Sequence, residues 1–209
     1  MVLGIMTAIA ACPAIIGTTE AVRSGQNKNA KEKHRGVKSN MIVGCFSRSK
    51  SASEINGCLV VLRDGKLYIA SPDATRSNPG GHLFAGYFLP FPEENWGRKG
   101  EGMVTTISDD PPQLNWVYMD SYTCELRYGL RVDAEPNIVG PWTVTPIERR
   151  TTLDGWEGFM AVKEEDGSWA LYFDYNDDGL TGFADGKKKM EVELTRRERR
   201  VAKEYPGEE

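Results

Sequence analysis

Residues 174–185 read DYNDDGLTGFAD, and Asp174, Asn176, Asp178 and Gly179 fall on the spacing D-x-[DN]-x-[DN]-G that curls a loop around a hard cation. Calcium needs about six to eight oxygen ligands, supplied in such loops by alternating carboxylates and one backbone carbonyl. The ligands here would be Asp174, Asn176, Asp178, the carbonyl of Leu180 and, at the twelfth position, Asp185. Three features depart from the pattern: Asp185 stands where a bidentate Glu is usual, Thr181 where an apolar residue anchors the loop, and WALYF before it reads as a strand. The other reading, and the commoner use of an acidic segment after a strand, is a solvated or self-capped turn.

Nucleophilic catalysis requires a base beside the nucleophile. The only histidines are His34, in a basic segment, and His82, beside Gly80-Gly81, and no G-x-S-x-G elbow exists. A Cys124/His82 pair has no support from spacing. No catalytic residue is assigned. Asp109-Asp110 and Glu157 are the prominent acids for carboxylate-pair hydrolysis. With Trp96, Trp116 and Trp142 they would line a sugar groove, unless those indoles fill the core, as aromatics of β domains usually do. GRKGEG (97–102) lacks the spacing of a phosphate-cradling loop.

The four cysteines, Cys12, Cys45, Cys58 and Cys124, form no CxxC pair, so zinc and dithiol chemistry have no foothold. Cleavage of a signal peptide at or beyond Cys12 would leave an odd number, and no N-x-S/T sequon is present. Reduced cysteines in the cytoplasm are the economical expectation, with secretion as the alternative. The stretch VLGIMTAIAACPAIIG (2–17) is short for a membrane span and has no basic residue before it. A core-docked helix, a signal peptide and a peripheral membrane contact are all compatible with it.

Charge is placed unevenly. Residues 1–50 carry eight Lys/Arg against Glu20 and Glu32, whereas 51–186 carry ten against twenty-two acids. The net charge of −4 disfavours nucleic acid as a partner. The basic stretch KNAKEKHRGVK (28–38) lacks the interleaved aromatics that stack on bases.

The elements that would hold these residues are strands. CLVVLRDGKLYIA (58–70) is a hairpin whose Asp64-Gly65 supplies the positive φ angles of a two-residue turn. FMAVKEEDGSWALYF (159–173) is a second, turning at 165–167. Met190, Val192 and Leu194 alternate with Glu191 and Glu193, a strand with one wet face. IVGPWTVT (138–145) is broken by Gly140-Pro141 and reads as an edge strand or a bulge. The fold class is mainly β: an antiparallel β-sandwich or barrel of about nine strands. Residues 1–40 form an N-terminal helical extension, 41–195 the β domain, and 196–209 a charged tail.

Three segments, GIMTAIAACPAIIGTTEAVRSGQ (4–26), NWGRKGEGMVTTISDDPPQLNW (95–116) and GWEGFMAVKEEDGSWALYFDYNDDGL (155–180), resemble a family of uncharacterised conserved proteins of filamentous ascomycete fungi. The resemblance covers most of the chain and implies a fungal origin. It brings no activity, cofactor or catalytic residue. By analogy with fungal β scaffolds it leaves open a secreted, effector-like protease inhibitor or ligand-binding module.

The functional expectation is a non-enzymatic β scaffold that binds another protein through its loops. The candidate contact loops are 71–81, 90–101 and 133–141, with His82, Trp96, Arg98 and Asn137 as binding residues. A carbohydrate-active hydrolase is the third reading.

Overall fold

The computed structural model describes residues 34–72, 81–91, 100–109 and 112–198. The chain divides into two units, Met1–Val37 and Lys38–Glu209. The described part of the first is one 3₁₀ turn, His34–Gly36. The expected helices of residues 2–35 otherwise lie outside the described residues.

The second unit holds fourteen strands among the described residues: β1 Ser39–Gly44, β2 Leu59–Arg63, β3 Lys66–Ala70, β4 His82–Leu83, β5 Gly86–Pro90, β6 Glu101–Asp109, β7 Pro112–Met119, β8 Leu126–Gly129, β9 Trp142–Val144, β10 Thr151–Leu153, β11 Phe159–Lys163, β12 Trp169–Phe173, β13 Lys189–Glu191 and β14 Glu193–Glu198. Two short helices, α1 Lys50–Ile55 and α2 Arg131–Ala134, join them. Mainly β is correct. About nine strands was too few, because pieces of two or three residues, such as β4, β9, β10 and β13, are too short to show a period.

Both expected hairpins form. In the first, Leu59–Arg63 runs against Lys66–Ala70, and Asp64 and Gly65 take φ of 49° and 77°. Those angles match the twist of the flanking strands, which is why a Gly at the second position is favoured. In the second, Phe159 to Lys163 pairs with Phe173 to Trp169. β6 pairs antiparallel with β7, the ladder ending at Asp109 opposite Pro112, whose ring nitrogen carries no hydrogen to donate. The register slips between Thr106 and Ser108, which makes Ile107 the extra residue of a bulge.

Pairing closes on itself. β1 bonds β2, β2 bonds β3, β3 bonds β8, and the ladder returns through β7, β6 and β5 to β1. All seven steps are antiparallel. Such a circuit is barrel-like and leaves its members without a free edge. β12, β11 and β13 extend from β3, and β14 lies on β1.

Within this frame Trp142, Phe159 and Phe173 are almost wholly buried. Trp142 stacks on Phe159 with ring centroids 6.1 Å apart, and Phe159 meets Phe173 edge-on at 5.1 Å. These pairs add orientation to the burial of large apolar surfaces.

The C-terminal assignment needs correction. Arg196, Arg197 and Glu198 continue β14 instead of starting a tail, each opposite a residue of β1. Arg196 is only 6% exposed. Its guanidinium lies 4.4 Å over the Phe88 ring and donates to Ser39 Oγ at 3.2 Å, so cation–π attraction and a hydrogen bond offset its desolvation. Likewise β14 and β13 break at Val192, where one continuous strand was expected. Residues 126–134 hold the short strand β8 followed directly by α2.

Candidate functional site

Among the described residues, a surface cleft of about 270 Å³ lies where four distant segments meet, at Phe46, Trp156–Gly158, Asp174 with Asp177, and Glu191–Glu193. Its construction starts at a tight turn. Asp154 and Gly155 adopt φ of 54° and 84°, and Leu153 and Trp156 exchange backbone hydrogen bonds across them. Trp156 leaves that turn with its side chain 39% exposed.

The indole is held on three sides. Its Nε1–H donates to the Asp174 carbonyl at 3.2 Å. Its ring and that of Phe173 meet in a T-shaped arrangement with centroids 6.4 Å apart. Underneath, Gly158 offers no side chain: a Cβ there would stand 2.4 Å from Cε2 and Nε1 of the indole. An exposed aromatic ring is thereby fixed before any ligand arrives. Phe46, 77% exposed, stands on the other rim.

Carboxylates line the cleft. Glu157 and Glu193 both reach Arg150, at 3.0 and 3.1 Å, and the same guanidinium meets Glu148 at 3.1 Å. Burial pushes the Glu193 carboxyl above its usual value, with the charges of Glu157 and Glu148 acting the same way against the pull of Arg150. Asp177 and Glu191 make no ion pair among the described residues.

The loop 174–185 sits at the edge of this cleft. Asp174, 6% exposed, accepts the N–H groups of Asp178 and Gly179 at 3.1 and 2.7 Å. Asp178 accepts from Thr181 N–H at 3.0 Å, and Asp185 from Gly182 N–H at 3.1 Å. The Leu180 carbonyl accepts from the backbone of Phe183 and Ala184. Asn176 is exposed. Each of the four would-be ligands other than Asn176 is thus engaged with the loop's own N–H groups. Among the described residues, no group of three or more His, Cys, Asp or Glu is arranged to hold a metal ion.

Of the expected binding residues, His82 and Asn137 lie apart from the cleft. His82 pairs with Leu62 on β4. Asn137 ties a loop together, accepting from Ser121 N–H at 3.0 Å and donating to the Asp133 carbonyl at 2.8 Å. Trp96, Arg98 and most of the loops 71–81 and 90–101 lie outside the described residues. Of the indoles considered for a sugar groove, Trp142 is in the core, and Trp116 packs edge-on against Phe91 at 4.9 Å.

Two further groups bear on catalysis. Burial, with the charges of Asp174, Asp178 and Asp120, pushes the Cys124 thiol up to about 11. That is the opposite of what an activated nucleophile needs. Glu125 and Glu164 converge on the Tyr172 hydroxyl, which donates to Glu164 at 2.8 Å and lies 3.3 Å from Glu125. Lys187 pairs with Glu164 at 2.7 Å and Lys66 with Glu125. This paired network ties Tyr172 of β12 to Glu125, just before β8, and through it to Lys66 of β3, and each of its carboxylates has a lysine partner.

Sequence reasoning picked out Glu157 and missed Trp156 and Phe46. Asp154-Gly155 was the available signal, being the same turn pair that marked the first hairpin. Phe46 had no local signal.

A family model described as a fungal beta-trefoil domain matches residues 17–200. No curated protein and no solved structure matches the chain.

Proposed function

We propose, from the premise that the chain belongs to the fungal beta-trefoil domain family, that it is a non-enzymatic β scaffold which binds another protein through its loops. The observation that carries this reading is the fixed, exposed indole of Trp156 between Phe46 and a carboxylate rim. Rigid aromatic anchors in a partly desolvated cleft are where binding energy concentrates at protein interfaces. The segments that present it flank β11, β12, β13 and β14, strands paired to one another or to the closed circuit through β3 and β1, which reduces the ordering cost of association.

The scaffold acts inside the cell on this reading. Supporting it, Cys45, Cys58 and Cys124 are free thiols, Cys58 and Cys124 buried, as suits a reducing compartment. The secreted, effector-like alternative is tested by the same experiment. Immobilised protein and its Trp156→Ala variant are incubated separately with cell extract and culture medium of the source fungus. The expected result is a protein retained from the cell extract by the parent and lost in the variant. A Trp156-dependent protein retained only from the medium moves the scaffold outside the cell. No protein retained from either fraction overturns the binding reading.

A further inference from the structure

We propose that the Trp156 cleft receives a single basic side chain, lysine or arginine, presented by the protein partner. The proposal rests on the protein-binding reading above and assigns the chemistry of its central contact.

Shape comes first. At about 270 Å³ the cleft falls just below the roughly 300 Å³ at which pockets for drug-sized ligands begin. It suits one long side chain. Met160 and Val192, both nearly buried, line it beside Gly158 and give methylene groups an apolar floor. The exposed indole supplies a flat π face, toward which an ammonium or guanidinium within about 6 Å is attracted.

Charge selects the occupant. Glu157, Asp177, Glu191 and Glu193 line the cleft, and the nearby cation Arg150 is already divided among Glu148, Glu157 and Glu193. Carboxylates therefore outnumber cations. An anionic ligand is repelled, and a neutral sugar leaves the excess negative charge uncompensated. A lysine or arginine head neutralises it while its stem covers the apolar floor and its charge meets the ring.

The test follows the Trp156 indole N–H and the Gly158 amide by NMR in labelled full-length protein. The ligands are short capped peptides of the form Gly-X-Gly with X lysine, arginine, norleucine or glutamate, alongside N-acetylglucosamine and mannose oligosaccharides. Saturable shifts with lysine or arginine alone are expected. They should weaken about three- to tenfold in Glu191→Gln and in Asp177→Asn, and again with added salt. Both variants sit at exposed positions, so the test survives if Trp156→Ala fails to fold. No shift with basic peptides overturns the proposal, as does an equal shift with norleucine, or a response to the sugars alone. A partner captured through Trp156 without any basic-peptide response leaves the protein-binding reading standing and removes this one. Basic peptides bound without any protein partner does the reverse.

Discussion

The indole of Trp156 occupies the space that a side chain on Gly158 would need, its Cε2 and Nε1 only 2.4 Å from where a Cβ would stand. Two residues in one turn thus set the orientation of the exposed ring. Gly158→Ala should displace it. The expected outcome is a moved Trp156 indole N–H signal, a loss of about 1–3 kcal/mol in unfolding stability, and loss of partner retention with the fold kept. An unmoved indole signal would show that the ring is set elsewhere.

Glu164 gives an acid-side prediction. Burial alone would raise its carboxyl, but hydrogen bonds from Lys187 and Tyr172 outweigh this and hold it below its ordinary value of 4.5. Its contribution to stability is therefore complete above pH 4.5 and disappears as pH falls through the lower folded value. Glu164→Gln should unfold about 1–3 kcal/mol more easily at neutral pH, and its stability should fall less steeply under acid. Glu193 has the opposite sign: its raised carboxyl makes protonation favour the folded state, so Glu193→Gln should remove a small gain on acidification. Chemical denaturation at stepped pH checks both.

The loop 174–185 is predicted to behave as a self-capped turn. Asp174→Ala leaves two backbone N–H groups, those of Asp178 and Gly179, without their acceptor. The expected cost is about 1–3 kcal/mol. Titration calorimetry of the parent with calcium should give no heat, and the melting temperature should not move on adding calcium or a chelator. Saturable heat that Asp174→Ala abolishes would restore the metal reading.

Thiol reactivity should follow burial. Cys124, with its thiol at about 11, has almost no thiolate at neutral pH. Burial also raises Cys45 and Cys58, but Cys45 is the less buried of the two. Timed labelling of the native protein with an aromatic disulfide should modify Cys45 before Cys58, and Cys124 only after denaturant is added. Early modification of Cys124 would contradict its placement.

Much of the fold was legible wherever the signal was local. Asp64-Gly65 and residues 165–167 announced their hairpins because positive φ angles restrict which residues can stand there. The strand circuit was not legible. β14 lies on β1, with Leu194 opposite Val43, and nothing in either segment's own alternation names its partner. Arg196 shows the same limit. Its burial depends on Phe88 and Ser39, neither of which is near it in sequence, so charge alone suggested a tail. The candidate site lay half in view. GWEG drew attention to Glu157, while the value of Trp156 comes from Gly158 below it and from Phe46, Asp177 and Glu191 brought alongside by long-range pairing.

The most direct measurement places a photoreactive p-benzoylphenylalanine at Phe46, on the cleft rim, and separately at Tyr122, which is 86% exposed and outside the cleft. Each protein is irradiated in extract of the source fungus and its adducts are sequenced. A discrete adduct from position 46, absent from position 122 and joined to a segment containing lysine or arginine, is the predicted result. Equal crosslinking from both positions, or none from position 46, would contradict a binding surface at Trp156.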